Sequence, residues 1–167
     1  MSRAQPSGYS LAQIILHWGV VVLVICQFLF SDAMENAWDA VREGAAVPAD
    51  VATGANLHAA AGIAILVMAL MRLFLRFTRG APALPSSLAP PLALLAKVTH
   101  FLLYALIIGL PLGGAAAWLG GVAPAARVHG LGANILFWVA ILHALGALYE
   151  HFVMRTDVLR RMLKPQT

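Results

Sequence analysis

The chain has 167 residues, 61% hydrophobic and 11% charged, against roughly 45–50% apolar and about 25% charged for soluble domains. A water-soluble fold of this size cannot hide that much apolar surface, so the composition excludes a soluble globular domain and points to a protein that contacts the lipid bilayer. The net charge of +4 comes from basic residues that flank apolar runs, which argues against nucleic-acid binding, and the single cysteine, Cys26, excludes an intramolecular disulfide.

Residues 1–8, MSRAQPSG, read as a short polar end. The first apolar span is 9–30, long enough at about 1.5 Å per residue to cross a bilayer. A cleaved signal peptide is the competing reading. The apolar core exceeds the usual ~7–15 residues and no clear small-x-small site follows, so a retained helix is preferred. Residues 31–53 form a loop in which Met34, Trp38 and Val41 recur at helical spacing. That spacing predicts a short helix at headgroup level, with Trp38 as interfacial anchor.

The second span, 54–77, carries His58 near its start and Arg72 and Arg76 near its end. The proline-rich stretch TRGAPALPSSLAPP cannot be one continuous helix and reads as a linker. The third span, 92–118, contains His100, and Pro111 followed by Gly113 and Gly114 is expected to kink or loosen its far end. The connection GGVAPAAR is short, so the third and fourth spans should be antiparallel neighbours. The fourth span, 127–151, holds His129, His143 and His151, and the amphiphilic tail 152–167 is expected on the membrane surface. No internal repeat is evident. The expected architecture is an all-α integral membrane four-helix bundle forming a single domain.

Charge sets the orientation. Nine of the eleven basic residues, all but Arg42 and Arg127, fall on the side shared by the N-terminus, the linker and the tail. By the positive-inside rule that side, with both termini, is cytoplasmic. The carboxylates Asp32, Glu35, Asp39, Glu43 and Asp50 all lie in the first outer loop.

With that topology the histidines sort by depth. His17 and His143 lie about 12–13 Å from the inner ends of spans one and four, and His58 and His129 about 5–6 Å from the outer ends of spans two and four. His129 and His143 share one face of a single helix, about 21 Å apart. Two rings at equal depth on different helices suit an iron held between imidazoles, that is, a b-type haem. Zinc would need three or four ligands at one level. Each histidine alone is more simply a packing residue; the paired depths change that balance. Ala59, Ala60, Ala61 and Gly62, with Gly130 and Gly132, leave room for a flat macrocycle, although close helix packing uses the same residues. Arg72 and Arg76 stand where the propionates of an inner haem could reach them, while snorkelling is their default use. His100 lies at the inner depth, and three roles stay open for it: ligand in place of His17 or His143, hydrogen-bond donor, or proton handler at a quinone pocket. A lone histidine on an apolar helix favours a supporting role. His151 reads as interfacial.

Several segments then resemble a known family, the bacterial cytochrome b561 proteins. They are Tyr9 with His17-Trp18, NLHAAAG around His58, MRLFLR at 71–76, HFLLYALIIGLP from His100 to Pro111, the spacing of His129 and His143, and LRRML near the end. The resemblance spans Tyr9 to about Leu163. It implies a bacterial inner-membrane cytochrome with two b haems, axial ligands His17, His58, His129 and His143, and electron exchange with quinone. One branch of the family is a superoxide:ubiquinone oxidoreductase. A positive outer surface would steer that anion, and the acidic first loop departs from this pattern. Two other readings are a cytochrome subunit that anchors and wires a periplasmic or membrane redox partner such as a dehydrogenase or hydrogenase, and a histidine-lined transporter, which predicts no Soret band.

Overall fold

The computed structural model describes residues 6–165. Four long helices carry the fold: α1 (Leu11–Leu29), α3 (Ala49–Arg79), α4 (Pro90–Gly120) and α5 (Ala123–Phe152). Two short ones accompany them, α2 (Ser31–Arg42) and α6 (Val158–Arg161), and there is no strand among the described residues. All four long helices have the length and hydropathy of membrane spans.

Local chemistry sets the helix ends. Ser10 and Gln13 form a reciprocal capping box at the start of α1. Helix α3 begins after Pro48, earlier than its apolar span, because the polar segment 49–53 continues the same helix. It stops at Gly80, whose φ of 83° is accessible without strain only to glycine. Pro90 and Pro91 open α4, where a missing N–H is harmless. Gly121, with φ 65°, closes it. Only Gly121 and Val122 separate α4 from α5, so these helices are antiparallel neighbours, and the APAAR segment assigned to the connection, residues 123–127, belongs to α5. Helix α4 stays helical through Pro111, Gly113 and Gly114. A proline inside a membrane helix is tolerated where neighbouring groups meet the freed backbone.

Val20, Ile65, Ala69, Ile107 and Leu136 form the core where the four long helices meet. Outward the surface is apolar: Phe77 is 78% exposed, Leu119 83% and Phe101 71%. In a bilayer these side chains face acyl chains. Helix α3 packs along α1 and α4, α2 lies on α3 with Ala33 seated against Gly54, and α5 packs along α4. Extended backbone contact of α5 with α1 or α3 is missing among the described residues. His143 and His129 of α5 face α1 and α3, respectively, across that space.

One end of the bundle gathers the start of α1, the linker between α3 and α4, and the tail. Gln13 Nε2 donates to Gly80 O at 3.0 Å, Arg161 Nη1 to Ala83 O at 3.0 Å, and Trp18 Nε1 to Met162 O at 2.8 Å. Arg161 also pairs with Asp157 at 2.8 Å. This is called the terminal end below, and the α2 side the far end.

Candidate cofactor site

At the terminal end, His17 on α1 and His143 on α5 present their rings to one another, with centroids 6.2 Å apart and planes at 70°. His100 on α4 is closer still to His143, at 5.0 Å and 80°, and its Nδ1 lies 2.6 Å from Ala96 O. Trp18 packs edge-on against His17 at 5.3 Å. Arg72, half-buried about two turns before the end of α3, donates from Nη1 to Gln13 O at 3.3 Å. Its charge is felt at His17, His100 and His143. Arg76, exposed one turn further on, acts electrostatically on His100 and Tyr9.

At the far end, His58 on α3 faces His129 on α5 at 6.1 Å and 60°. Nδ1 of His129 donates to Leu110 O at 2.9 Å. A carbonyl can only accept, so the proton is on Nδ1 and Nε2 is left with a free lone pair. Gly114 makes this approach feasible, because a Cβ there would lie 3.1 Å from both Cε1 and Nδ1 of the His129 ring. Gly132 similarly admits Leu110, which would overlap any larger residue. Gln27 of α1 reaches the same end, its Nε2 lying 3.0 Å from where a Cβ on Gly62 would be. Its Oε1 is buried without a hydrogen-bond partner, and the Gln27 backbone lies against the buried His58 ring.

These distances discriminate between chemistries. Two imidazoles on one metal, with metal–nitrogen bonds of about 2.0 Å and each nitrogen about 1.1 Å from its ring centre, put the centroids roughly 6 Å apart. Rotation about that axis is free, so planes at 60° and 70° are compatible. His17/His143 and His58/His129 fit the spacing; His100/His143 is too close. A zinc-like convergence of three or more His, Cys, Asp or Glu side chains is missing among the described residues. His151 stands apart against Phe152, at 4.9 Å.

Of the residues singled out from the sequence, the structure brings together His17, His100, His143 and Arg72 at one end and His58 and His129 at the other. It leaves Arg76 at the edge of the first group. Gln27, the Leu110 carbonyl and the fit of Gly114 to His129 had not been anticipated. Gln27 alone had a signal, as a polar side chain within an apolar span.

A sequence model of the prokaryotic cytochrome b561 family matches residues 8–165. The chain belongs to the prokaryotic cytochrome b561 family. This cytochrome is 39% identical over 162 residues to cytochrome b562 of Cereibacter sphaeroides, covering 97% of this chain and 99% of that one. It is 30% identical over 177 residues to the probable superoxide oxidase CybB of Yersinia pestis, covering 93% and 95%. Membership implies b-type haem and a multi-pass bacterial membrane protein with an electron-transfer role.

Proposed function

We propose that this cytochrome holds two b haems, one between His17 and His143 and one between His58 and His129, and uses them to move electrons across the bacterial inner membrane and exchange them with quinone. The observation that carries the reading is the pair of ring separations, 6.2 and 6.1 Å, at two depths of one bundle. On α5 the two depths are fourteen residues apart, about 21 Å of helix. When bound, each haem supplies a one-electron centre.

The protein's own residues hold and orient. His129 is locked by Leu110 O in the tautomer that offers Nε2. His58 approaches from α3, and His17 and His143 do the same work at the other end. Arg72 and Arg76 supply positive charge for propionates there, Arg72 with its guanidinium already turned inward to Gln13 O. The basic side, with both termini, is cytoplasmic, which puts His58 and His129 toward the periplasm. The test is a reduced-minus-oxidised spectrum with haem quantification: two b haems per chain support the reading, and one or none defeats it.

A superoxide:quinone activity is a second reading, favoured by the likeness to the probable superoxide oxidase CybB. Against it stand the exposed carboxylates Asp32, Glu35, Asp39, Glu43 and Asp50 on and beside α2, since a negative surface repels a small anion. Reduction of ubiquinone by superoxide with the isolated chain separates this activity from a wiring role, in which a docked redox protein is the electron partner.

A further inference from the structure

His100 is an imidazole left over once two pairs have formed, and its surroundings say what it does. Its Nδ1 is committed to Ala96 O at 2.6 Å. The ring therefore carries its proton there and keeps an unprotonated Nε2. Its nearest ring is His143, at 5.0 Å and nearly perpendicular. That separation is about 1 Å too short for a metal between the rings. It is what direct contact between two imidazoles gives.

His143 differs from the other α5 histidine. His129 is oriented by the Leu110 carbonyl, whereas among the described residues no hydrogen bond orients His143, whose ring neighbours are His17 and His100, the latter in edge-on contact rather than hydrogen-bonded. An imidazole that gives Nε2 to a metal keeps an N–H at Nδ1. Inside a membrane that N–H needs an acceptor, and second-shell acceptors fix the ring and raise its basicity. The charged groups nearest this cluster, Arg72 and Arg76, are donors and cannot accept.

We propose that His100 is a positioning residue for His143: it packs against the ring and offers it an acceptor, and it is not a haem ligand. This rests on the pairing of His17 with His143 under Proposed function, and it gives the terminal-end site a third imidazole that the far-end site lacks. An acceptor on the ligand's N–H makes the ligand more electron-donating and favours the oxidised iron.

The test is potentiometry, haem quantification and low-temperature EPR on the detergent-purified full chain and its His100→Ala and His100→Gln variants. Expected for His100→Ala are two haems per chain, a shift of one midpoint to more positive potential with the other unmoved, and a change in one low-spin ferric signal. His100→Gln, whose amide oxygen can accept, should move the same midpoint less. The unmoved far-end haem reports that each variant is folded. Unchanged midpoints and EPR signals in His100→Ala would overturn the proposal. So would loss of one haem in both His100 variants together with its retention in His17→Ala, an outcome that would make His100 the ligand. Failure of the underlying reading looks different, as fewer than two haems in the parent chain.

Discussion

Nδ1 of His129 donates to the backbone oxygen of Leu110 at 2.9 Å, across the seam between α4 and α5. That bond is possible because Gly114, one turn further along α4, has no side chain where the imidazole lies. The His129 ring is thus oriented by a helix that places no histidine of its own at that level.

Gly114→Ala is therefore expected to push the His129 ring from its seat. Overpacking of this kind costs about 1–3 kcal/mol. The far-end haem should be lost in part, and the terminal-end haem retained. Haem quantification beside the reduced-minus-oxidised spectrum checks this; a full complement of two haems would show that the ring has room to shift.

Arg72 and Arg76 should differ in effect. A fixed positive charge near an iron disfavours its oxidised state, so Arg72→Gln should move the terminal-end midpoint to more negative potential. The scale is on the order of 60 mV for each ~1.4 kcal/mol of lost interaction in a one-electron couple. Arg76, exposed and farther out, should give a smaller shift that shrinks further with salt. Redox titration of the two variants at low and high ionic strength makes the comparison.

Trp18 ties the tail to α1 through its indole N–H and Met162 O at 2.8 Å. Trp18→Phe removes that hydrogen bond, worth about 0.5–1.5 kcal/mol. Trypsin should then cut faster at Arg160 and Arg161, with haem content unchanged. Equal cleavage rates would mean that Arg161, through Asp157 and Ala83 O, holds the tail alone.

The orientation inferred from charge is open to direct test. A cysteine placed in the exposed segment 43–46, in a Cys26→Ala background, should react with a membrane-impermeant maleimide in intact cells, and one placed at Ser86 should not. The opposite pattern would invert the topology.

How much of this could be read from the sequence follows from what helix geometry transmits. The rise per residue converts numbering into depth, so His17 could be matched with His143, and His58 with His129, without coordinates. Depth does not give azimuth across helices. Whether His100 or His17 stands closer to His143 depends on how α1 and α4 rotate against α5, and that is set by packing at residues such as Val20, Ile107 and Leu136. The Leu110 carbonyl left no trace in the sequence because every residue has one. The glycines were visible, yet Gly114 read as a loosening of α4, whereas it is where an imidazole fits. Helices α3, α4 and α5 also outran their apolar spans, since hydropathy marks where lipid begins and not where hydrogen bonding stops, as the polar first turn of α3 shows.

Which imidazoles share an iron is measured most directly by haem stoichiometry in the four single variants His17→Ala, His143→Ala, His58→Ala and His129→Ala. Each should bind one haem where the parent binds two. The haem that survives in His17→Ala and His143→Ala should have one and the same midpoint, and the haem that survives in His58→Ala and His129→Ala should have the other. Survivors that group differently, or a variant that keeps both haems, would contradict the pairing.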